Sequence, residues 1–185
     1  MFNAPSIKYC NHCGHSVKWT VPEGDTRIRA VCPSCQTIQY QNPLNVAGTI
    51  PVWHDGRVLL CKRNIEPRYG FWTLPAGFLE LGETIAEGAA RETVEEAGAQ
   101  FDMGRLFTIM NVVSVGQVHF YYLAQLADKQ FNPGPESIEA RLFAEKDIPW
   151  EALAFTTVRT ALEFYFQDRH SPQTDHCIYT ADIDF

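Results

Sequence analysis

Short runs of apolar and β-branched residues recur along the chain between turn-forming residues, which is a pattern typical of strands. Residues 46–52 and 58–63 are two such runs. Asp55-Gly56 between them predicts a hairpin, because Asp-Gly readily adopts the conformations of a tight turn. Further strands are predicted at residues 72–74, 101–113, 118–126 and 138–143.

A first helix is predicted after the polar loop that ends at residue 83. Thr84 is followed three residues later by Glu87, and this pair is a capping box at the start of a helix. Gly98 ends the helix, because glycine tolerates the left-handed conformation that follows a last turn. The small residues that we expect to face the sheet are Ala86, Ala90, Thr93 and Ala97.

A second helix is predicted for residues 155–168, which show helical periodicity behind Thr156 and Thr157. We expect these two threonines to cap its first turn. The tail at residues 176–185 is apolar enough to pack as a strand, and the sequence does not place it.

Four of the six cysteines lie in two Cys-x-x-Cys pairs that are separated by eighteen residues. They are Cys10, Cys13, Cys32 and Cys35. Each pair aims two thiolates at one metal, so the spacing predicts a closed four-cysteine zinc site that stabilises a fold. The alternatives are a disulfide pair, a redox site, or a site in which His12 or His15 replaces a thiolate.

A turn at residues 22–25 separates strands predicted at 16–21 and 26–31, so the cysteine unit has the form of a small zinc ribbon. We therefore divide the chain into a zinc ribbon at residues 1–41 and a main domain at residues 42–185.

The net charge of −7 is unevenly distributed, because residues 1–45 hold four basic and two acidic residues, a net of +2. Nucleic acid is not an expected partner, since an acidic main domain repels a phosphate backbone. No apolar run is long enough for a membrane span, and the N-terminus lacks the pattern of a signal peptide. We expect a cytoplasmic protein without membrane contact.

Three glutamates on the first helix are candidate ligands of a metal ion. Glu92, Glu95 and Glu96 are spaced i, i+3, i+4 and so share one helix face, where their charges repel each other unless a cation lies among them. Carboxylate oxygens suit Mg²⁺ or Mn²⁺, which also bind diphosphate. Arg91 lies one turn before Glu95 and can orient it. The alternative is an ordinary solvated acidic face.

The context of these glutamates favours the metal site. Residues 77–99 resemble the Nudix box, G-x5-E-x7-R-E-U-x-E-E-x-G-U, in which U is a bulky aliphatic residue. Every charged position and every glycine of the box is present. The departures are Thr93 and Ala99, which are smaller than the usual U residues and concern packing rather than metal binding.

The resemblance implies an α/β fold of the Nudix type, an α/β/α sandwich with a mixed sheet, and a metal-dependent diphosphate hydrolase. The metal ligands implied by position are Glu92, Glu95 and Glu96. The residues implied to organise the loop and the helix are Gly77, Glu83 and Arg91. The general base is then a box glutamate or one from a later loop, where Glu136 and Glu139 are the candidates unless they are ordinary surface acids.

A zinc ribbon before a Nudix domain resembles two groups of enzymes. NADH pyrophosphatases carry an S-Q-P-W-P-F-P marker soon after the box, and residues 100–117 contain nothing like it. The second group, related to the plant FAD and ADP-ribose pyrophosphatases, is similar over most of residues 8–166. That resemblance implies hydrolysis of FAD or ADP-ribose, which are small nucleotide substrates, to AMP and a second phosphate, by enzymes that are often homodimers.

Three alternative functions differ from this one, two in the substrate that is cleaved and one in that no substrate is cleaved. They are an NADH pyrophosphatase, a regulator that senses a nucleotide without cleaving it, and an enzyme that removes oxidised nucleoside triphosphates. Aromatic residues that could stack on a base, unless they belong to the core, are Trp72, Phe78, Phe120, Tyr121 and Phe131. Arginines that could grip phosphate, unless they are surface ion-pair partners, are Arg63, Arg68 and Arg141.

Overall fold

The computed structural model describes residues 7–171 and 177–183. Two compact units are present. Among the described residues, one holds residues 7–43 with Ser114–Gly116, and the other holds Leu44–Val113 and the described residues from Gln117 onward.

The first unit contains a three-stranded antiparallel sheet in the order β1-β2-β3. Its strands are β1 (Lys18–Thr20), β2 (Arg29–Val31) and β3 (Ile38–Gln39). The predicted hairpin is confirmed, because β1 pairs with β2 and the amide of Asp25 donates to the carbonyl of Pro22 at 3.1 Å in the turn. The strands are shorter than predicted, and β3 was not predicted at all.

The second unit is built on one eight-stranded sheet. Its strands are β4 (Leu44–Val52), β5 (Val58–Arg63), β6 (Trp72–Thr73), β7 (Ala76–Phe78), β8 (Phe101–Val112), β9 (Gln117–Leu126), β10 (Ser137–Phe143) and β11 (Tyr179–Asp182). The order is β10-β5-β4-β9-β8-β11, with β6 paired to β5 and β7 paired to β4. The pairs β4 with β9 and β8 with β11 are parallel and the others are antiparallel, so the sheet is mixed as expected.

Two helices, α1 (Ile85–Ala97) and α2 (Thr156–His170), cover opposite faces of this sheet. Alternation along β5 shows this directly, because successive side chains of a strand point to opposite faces. Leu60 packs in one buried cluster with Leu162 of α2, whereas Leu59 and Cys61 pack in another with Ala97 of α1. Full burial of such a leucine contributes roughly 1.5–3 kcal/mol. The predicted α/β/α sandwich is confirmed.

The start and end signals of α1 are confirmed. Thr84 accepts the amide of Glu87 at 3.2 Å, the Glu87 carboxylate accepts the amide of Thr84 at 2.7 Å, and Gly98 is left-handed with φ of 59°. The caps predicted for α2 are wrong, because the helix begins at Thr156 behind Phe155, which makes no side-chain capping bond.

The buried face of α1 also differs from the prediction. Its buried positions include Ala89, Thr93, Glu96 and Ala97, whereas Ala86 and Ala90 are only partly buried. Residues 89, 93, 96 and 97 share one helix face because of the helical repeat. The helix is therefore rotated relative to the prediction, and this rotation places Glu96 in the core.

The C-terminal tail adds a strand, since β11 runs parallel to β8 with Thr180 opposite Ile109. The remainder of the tail, residues 172–176 and 184–185, lies outside the described residues. Neither helix of the described chain has the length and apolar character that a membrane span requires.

Candidate active site

The backbone of Gly77 in β7 lies against the side chain of Glu92 on α1. A Cβ atom at residue 77 would overlap the carboxyl group of Glu92. A larger residue at position 77 would therefore displace the Glu92 carboxylate from its present place. The contact places the Glu92 carboxylate between the helix and the end of β7.

Arg91 ties the loop to the helix through Glu83. Its Nε donates to Glu83 Oε2 at 3.1 Å and its Nη2 donates to Glu83 Oε1 at 2.9 Å, in a bidentate pair. The Nη2 group also donates to the carbonyl of Phe78 at 3.0 Å, and the amide of Glu80 donates to Glu83 at 2.7 Å. The hydrogen bonds that Glu83 accepts lower its pKa to about 2, and those from Arg91 have the largest effect, followed by the one from the Glu80 amide.

The same guanidinium faces the acidic cluster. Arg91 Nη1 donates to Glu92 Oε1 at 2.6 Å and to Glu95 Oε2 at 3.2 Å. In return, hydrogen bonds to Glu83 and Glu92 raise the pKa of Arg91. Arg91 therefore holds two of the three clustered carboxylates in fixed orientations.

Glu96 is the buried member of the cluster, with 8% of its surface exposed. Burial, together with the negative charge of Glu92, raises the pKa of Glu96 to about 8. Its Oε2 atom has no hydrogen-bond partner in the described part of the chain. Burying a carboxylate without a partner costs several kcal/mol by order of magnitude, so without a cation the carboxyl tends to keep its proton. Three carboxylates on one helix face are the kind of oxygen donors that a hard divalent cation prefers.

The loop before β10 is fixed against the end of α1. The amide of Asn132 donates to the carbonyl of Ala97 at 3.0 Å. Side chains at residues 98 and 134 would collide with the backbone oxygens of Asn132 and Glu95, so glycines at both positions let the two segments touch. This brings the exposed Glu136 to the acidic face, where its charge raises the pKa of both Glu92 and Glu96.

Glu139 is placed differently. Its neighbour Ala140 packs against the cluster on the α1 face, so alternation turns Glu139 toward the other face. There it lies opposite Lys62 and 3.6 Å from Arg141 in an ion pair. The structure therefore brings one of the two candidate bases to the glutamate cluster and not the other.

The candidate stacking residues divide by burial. Trp72 and Tyr121 are core residues, and Phe131 packs against the cluster that contains Ala97. Phe78, which follows Gly77, is 54% exposed beside the loop and Phe120 is partly exposed.

Among the three arginines, Arg63 is the one whose charge lowers the pKa of Glu96. Its Nε donates to the carbonyl of Pro67 at 2.9 Å, and its guanidinium lies 5.1 Å from the ring centre of Phe155. Arg141 lies over Trp72 on the opposite face, and Arg68 lies over Phe71.

One supporting residue, Thr49, was not anticipated from the sequence, and it acts through Thr93. Thr93, at a box position that usually holds a bulky aliphatic residue, donates its hydroxyl to the carbonyl of Ala89 at 2.7 Å. Thr49 of β4 completes the chain of hydrogen bonds, with its hydroxyl 2.7 Å from that of Thr93. No local signal in β4 distinguishes this threonine, because only the packing of α1 on the sheet brings the two together.

The four N-terminal cysteines form one cluster, with all sulfur atoms within 4.8 Å of one another. Adjacent sulfurs are 3.4 to 3.6 Å apart. Four sulfurs at about 2.3 Å from one zinc would be about 3.8 Å apart, so the cluster needs only a small expansion to hold the ion. Hydrogen bonds from Thr37 lower the pKa of Cys35, while the hydrogen bond between Cys13 and Cys35 raises the pKa of Cys13, so thiolate charge forms first at Cys35.

Comparison with known families accounts for both units. Residues 8–41 match the zinc ribbon family described as Nudix N-terminal, and residues 43–165 match the NUDIX domain. The chain belongs to the Nudix family and is a hydrolase with an N-terminal zinc ribbon.

Similar curated proteins carry the name NAD-capped RNA hydrolase NudC. The one from Photobacterium profundum is 27% identical over 158 residues, which cover 84% of this chain and 56% of the relative. The one from Escherichia coli O1:K1 is 26% identical over 159 residues, covering 85% of this chain and 60% of the relative. The chain thus spans less than two thirds of these relatives.

A crystal structure of a NUDIX hydrolase from Nitrosomonas europaea is similar along nearly the whole chain. It shares 45% identity with a TM-score of 0.89, covering 96% of this chain and 99% of that one. An ADP-ribose pyrophosphatase from Streptococcus suis 89-1591 shares 22% identity with a TM-score of 0.59, covering 77% of this chain and all of that one. The second similarity concerns the fold alone.

Proposed function

We propose that this protein uses Mg²⁺ or Mn²⁺ to hydrolyse the diphosphate bond of a nucleoside diphosphate that is linked to a second group. The observation that carries the proposal is the buried carboxylate of Glu96, whose Oε2 lacks a partner within the described residues, beside Glu92 and Glu95. These three side chains would hold the cation. When bound, the cation would supply an acidified water and neutralise charge on the diphosphate.

Arg91 and Glu83 act in this proposal as the frame of the site. Their bidentate pair fixes the loop onto α1, and Nη1 of Arg91 orients the carboxylates of Glu92 and Glu95. Positioning of this kind lowers the barrier because the ligands need no rearrangement when substrate binds.

We assign the general base to Glu136, which would take a proton from the attacking water. Its carboxylate makes no ion pair within the described residues, and it reaches the acidic face from the loop beside α1. The water oxygen would then bond to one phosphorus while the bridging P–O bond breaks, and the bridging oxygen leaves on the other phosphate.

A matched pair of variants tests this assignment. Glu136→Gln should lower kcat by about 100-fold or more, the usual contribution of a general base. Glu139→Gln removes a similar charge from the adjacent strand on the opposite face and should leave kcat within about twofold. Equal activity of the two variants would show that Glu136 is not the general base and would assign that role to a box glutamate.

Arg63 is the arginine that we assign to substrate phosphate. Its Nε is engaged by Pro67 and its guanidinium lies over Phe155, so the group is held in place near Glu96. A preorganised guanidinium suits bidentate contact with a phosphate. Arg63→Lys should therefore raise KM, while Arg68→Lys should not.

For the substrate we propose the FAD or ADP-ribose type, with AMP as one product. Two features of the sequence support it, namely the resemblance inferred for residues 8–166 and the missing marker after the box. An NAD-type substrate, free or as a cap on RNA, is the second candidate, supported by the NudC relatives.

A product assay separates the candidates. FAD, ADP-ribose, NADH, an NAD-capped RNA and nucleoside triphosphates would each be incubated with Mg²⁺ or Mn²⁺ and the release of AMP or inorganic phosphate measured. AMP from FAD or ADP-ribose at the highest kcat/KM supports the first candidate, and a preference for NADH or capped RNA supports the second. No turnover of any of them, in a preparation that binds Mn²⁺, would leave a nucleotide-sensing regulator as the better explanation.

For the N-terminal unit we propose a structural zinc held by its four cysteines, in a domain at residues 1–41 that precedes the catalytic domain at 42–185. Closed four-cysteine sites bind zinc without an open position. We also propose a homodimer, which sedimentation velocity would test. A single species at the mass of one chain would contradict it.

A further inference from the structure

Asn64 lies just after β5 and makes two hydrogen bonds to the segment that carries Glu136. Its backbone amide donates to the carbonyl of Glu136 at 2.8 Å. Its side-chain Nδ2 donates to the carbonyl of Pro135 at 2.8 Å. Two consecutive peptide groups of one loop are therefore held by a single residue.

The other end of this loop is held by α1. The amide of Asn132 donates to Ala97, and Gly134 fits against the backbone oxygen of Glu95. Between these two anchors, a turn closes through the amide of Ser137 and the carbonyl of Gly134 at 3.0 Å. The position of Glu136 is thus set from the helix on one side and from Asn64 on the other.

We propose that Asn64 is a positioning residue, whose side-chain amide holds the Pro135-Glu136 segment so that the Glu136 carboxylate faces the cluster of box glutamates. This inference rests on the proposed function, since it concerns the residue to which we assign the general base. Asn64 itself touches no reacting atom, and it acts only through Glu136.

Substitution of the side chain gives a clean test because the backbone bond survives it. Asn64→Ala removes the bond to Pro135 and leaves the amide of residue 64 free to donate to Glu136. Small displacements of a reacting group lower rates steeply, so kcat should fall on the order of 10-fold to 100-fold with KM little changed. Asn64→Gln keeps an amide donor and should recover part of that loss.

Gln125 provides a matched control elsewhere in the sheet. Its exposed side-chain Nε2 donates to the carbonyl of Val52 at 3.0 Å, which is the same type of bond. Gln125→Ala should leave kcat and KM within about twofold, as surface substitutions away from a site usually do.

The decisive measurement is the double variant. If Asn64 acts through Glu136, then Asn64→Ala combined with Glu136→Gln should be no slower than Glu136→Gln alone. Losses that multiply in the double variant, or an Asn64→Ala enzyme with unchanged kcat, would overturn the inference while leaving the proposed hydrolase intact.

Hydrogen exchange tests the same contact without any turnover. Asn64→Ala should raise the exchange rate of the Ser137 amide in the loop turn, and Gln125→Ala should not. Unchanged exchange at Ser137 would overturn the inference even in a preparation that cleaves no substrate. Turnover that is absent from the unaltered protein would instead overturn the proposed function.

Discussion

The hydroxyl of Thr49 on β4 lies 2.7 Å from the hydroxyl of Thr93 on α1, and both residues are fully buried. Because Thr93 donates its proton to the carbonyl of Ala89, Thr49 must donate to Thr93. This chain of hydrogen bonds joins the helix that carries the three clustered glutamates to the sheet beneath it. Thr93 occupies a box position that normally holds a bulky aliphatic residue, and here it is held by hydrogen bonds.

The order of the bonds predicts unequal effects of two similar substitutions. Thr93→Val leaves the Thr49 hydroxyl buried without an acceptor and should cost about 1–3 kcal/mol of unfolding free energy. Thr49→Val leaves Thr93 bonded to Ala89 and should cost less. The double variant should be close to the unaltered protein, because both polar groups are replaced together. Urea unfolding measures all three, and simple additivity would contradict the paired arrangement.

The burial of Glu96 predicts opposite effects of one substitution with and without metal. Glu96→Gln removes a buried carboxyl whose pKa is raised to about 8, and which must either take up a proton on folding or be buried with its charge, so the substitution should raise Tm in metal-free buffer. It should also reduce the stabilisation that Mn²⁺ provides, since one ligand is lost. Glu163→Gln, at an exposed position of α2, is the matched control and should change neither value. A Glu96→Gln protein that is less stable without metal would argue against a cation site at this carboxylate.

The pair formed by Arg91 and Glu83 predicts a contribution to stability that depends on pH. Hydrogen bonds from Arg91 lower the pKa of Glu83 from its usual 4.5 to about 2. A lowered pKa stabilises the folded state above pH 4.5, and that stability is lost as the pH falls through about 2. Acid unfolding between these pH values should therefore be less steep in Glu83→Gln than in the unaltered protein. Identical slopes would show that the pair contributes nothing.

A second variant separates charge from geometry at the same site. Arg91→Lys keeps the positive charge and loses the bidentate contact with Glu83, so kcat should still fall on the order of 10-fold. Full activity in the lysine variant would mean that charge alone is sufficient.

The cysteine cluster predicts that zinc content depends on four of the six cysteines. Cys32→Ser should lose the bound zinc and unfold the ribbon, because a segment of this size lacks a sufficient core of its own. Cys177→Ser, at an exposed position outside the cluster, should retain one zinc per chain by atomic absorption. Equal zinc content in the two variants would contradict a four-cysteine site.

The sequence alone determined the features that depend on local spacing. The capping box at Thr84 and the left-handed Gly98 follow from residues that favour helix ends, and the shared face of Glu92, Glu95 and Glu96 follows from helical periodicity. The metal cluster of the Cys-x-x-Cys pairs follows from the geometry of a metal knuckle. The longer strands of the main sheet were predicted close to their observed bounds, because alternating apolar runs between turn signals leave few other choices.

Only the tertiary structure decided which distant residues meet at the site. The sequence does not distinguish Glu136 from Glu139 as the candidate base. The loop that is hydrogen-bonded to α1 brings Glu136 to the three glutamates, whereas strand alternation turns Glu139 to the other face of the sheet. Asn64 and Thr49 carry no local signal, because their partners lie 71 and 44 residues away along the chain. Spacing within one element sets which side chains share a face, whereas contacts across the sheet depend on how the whole chain packs.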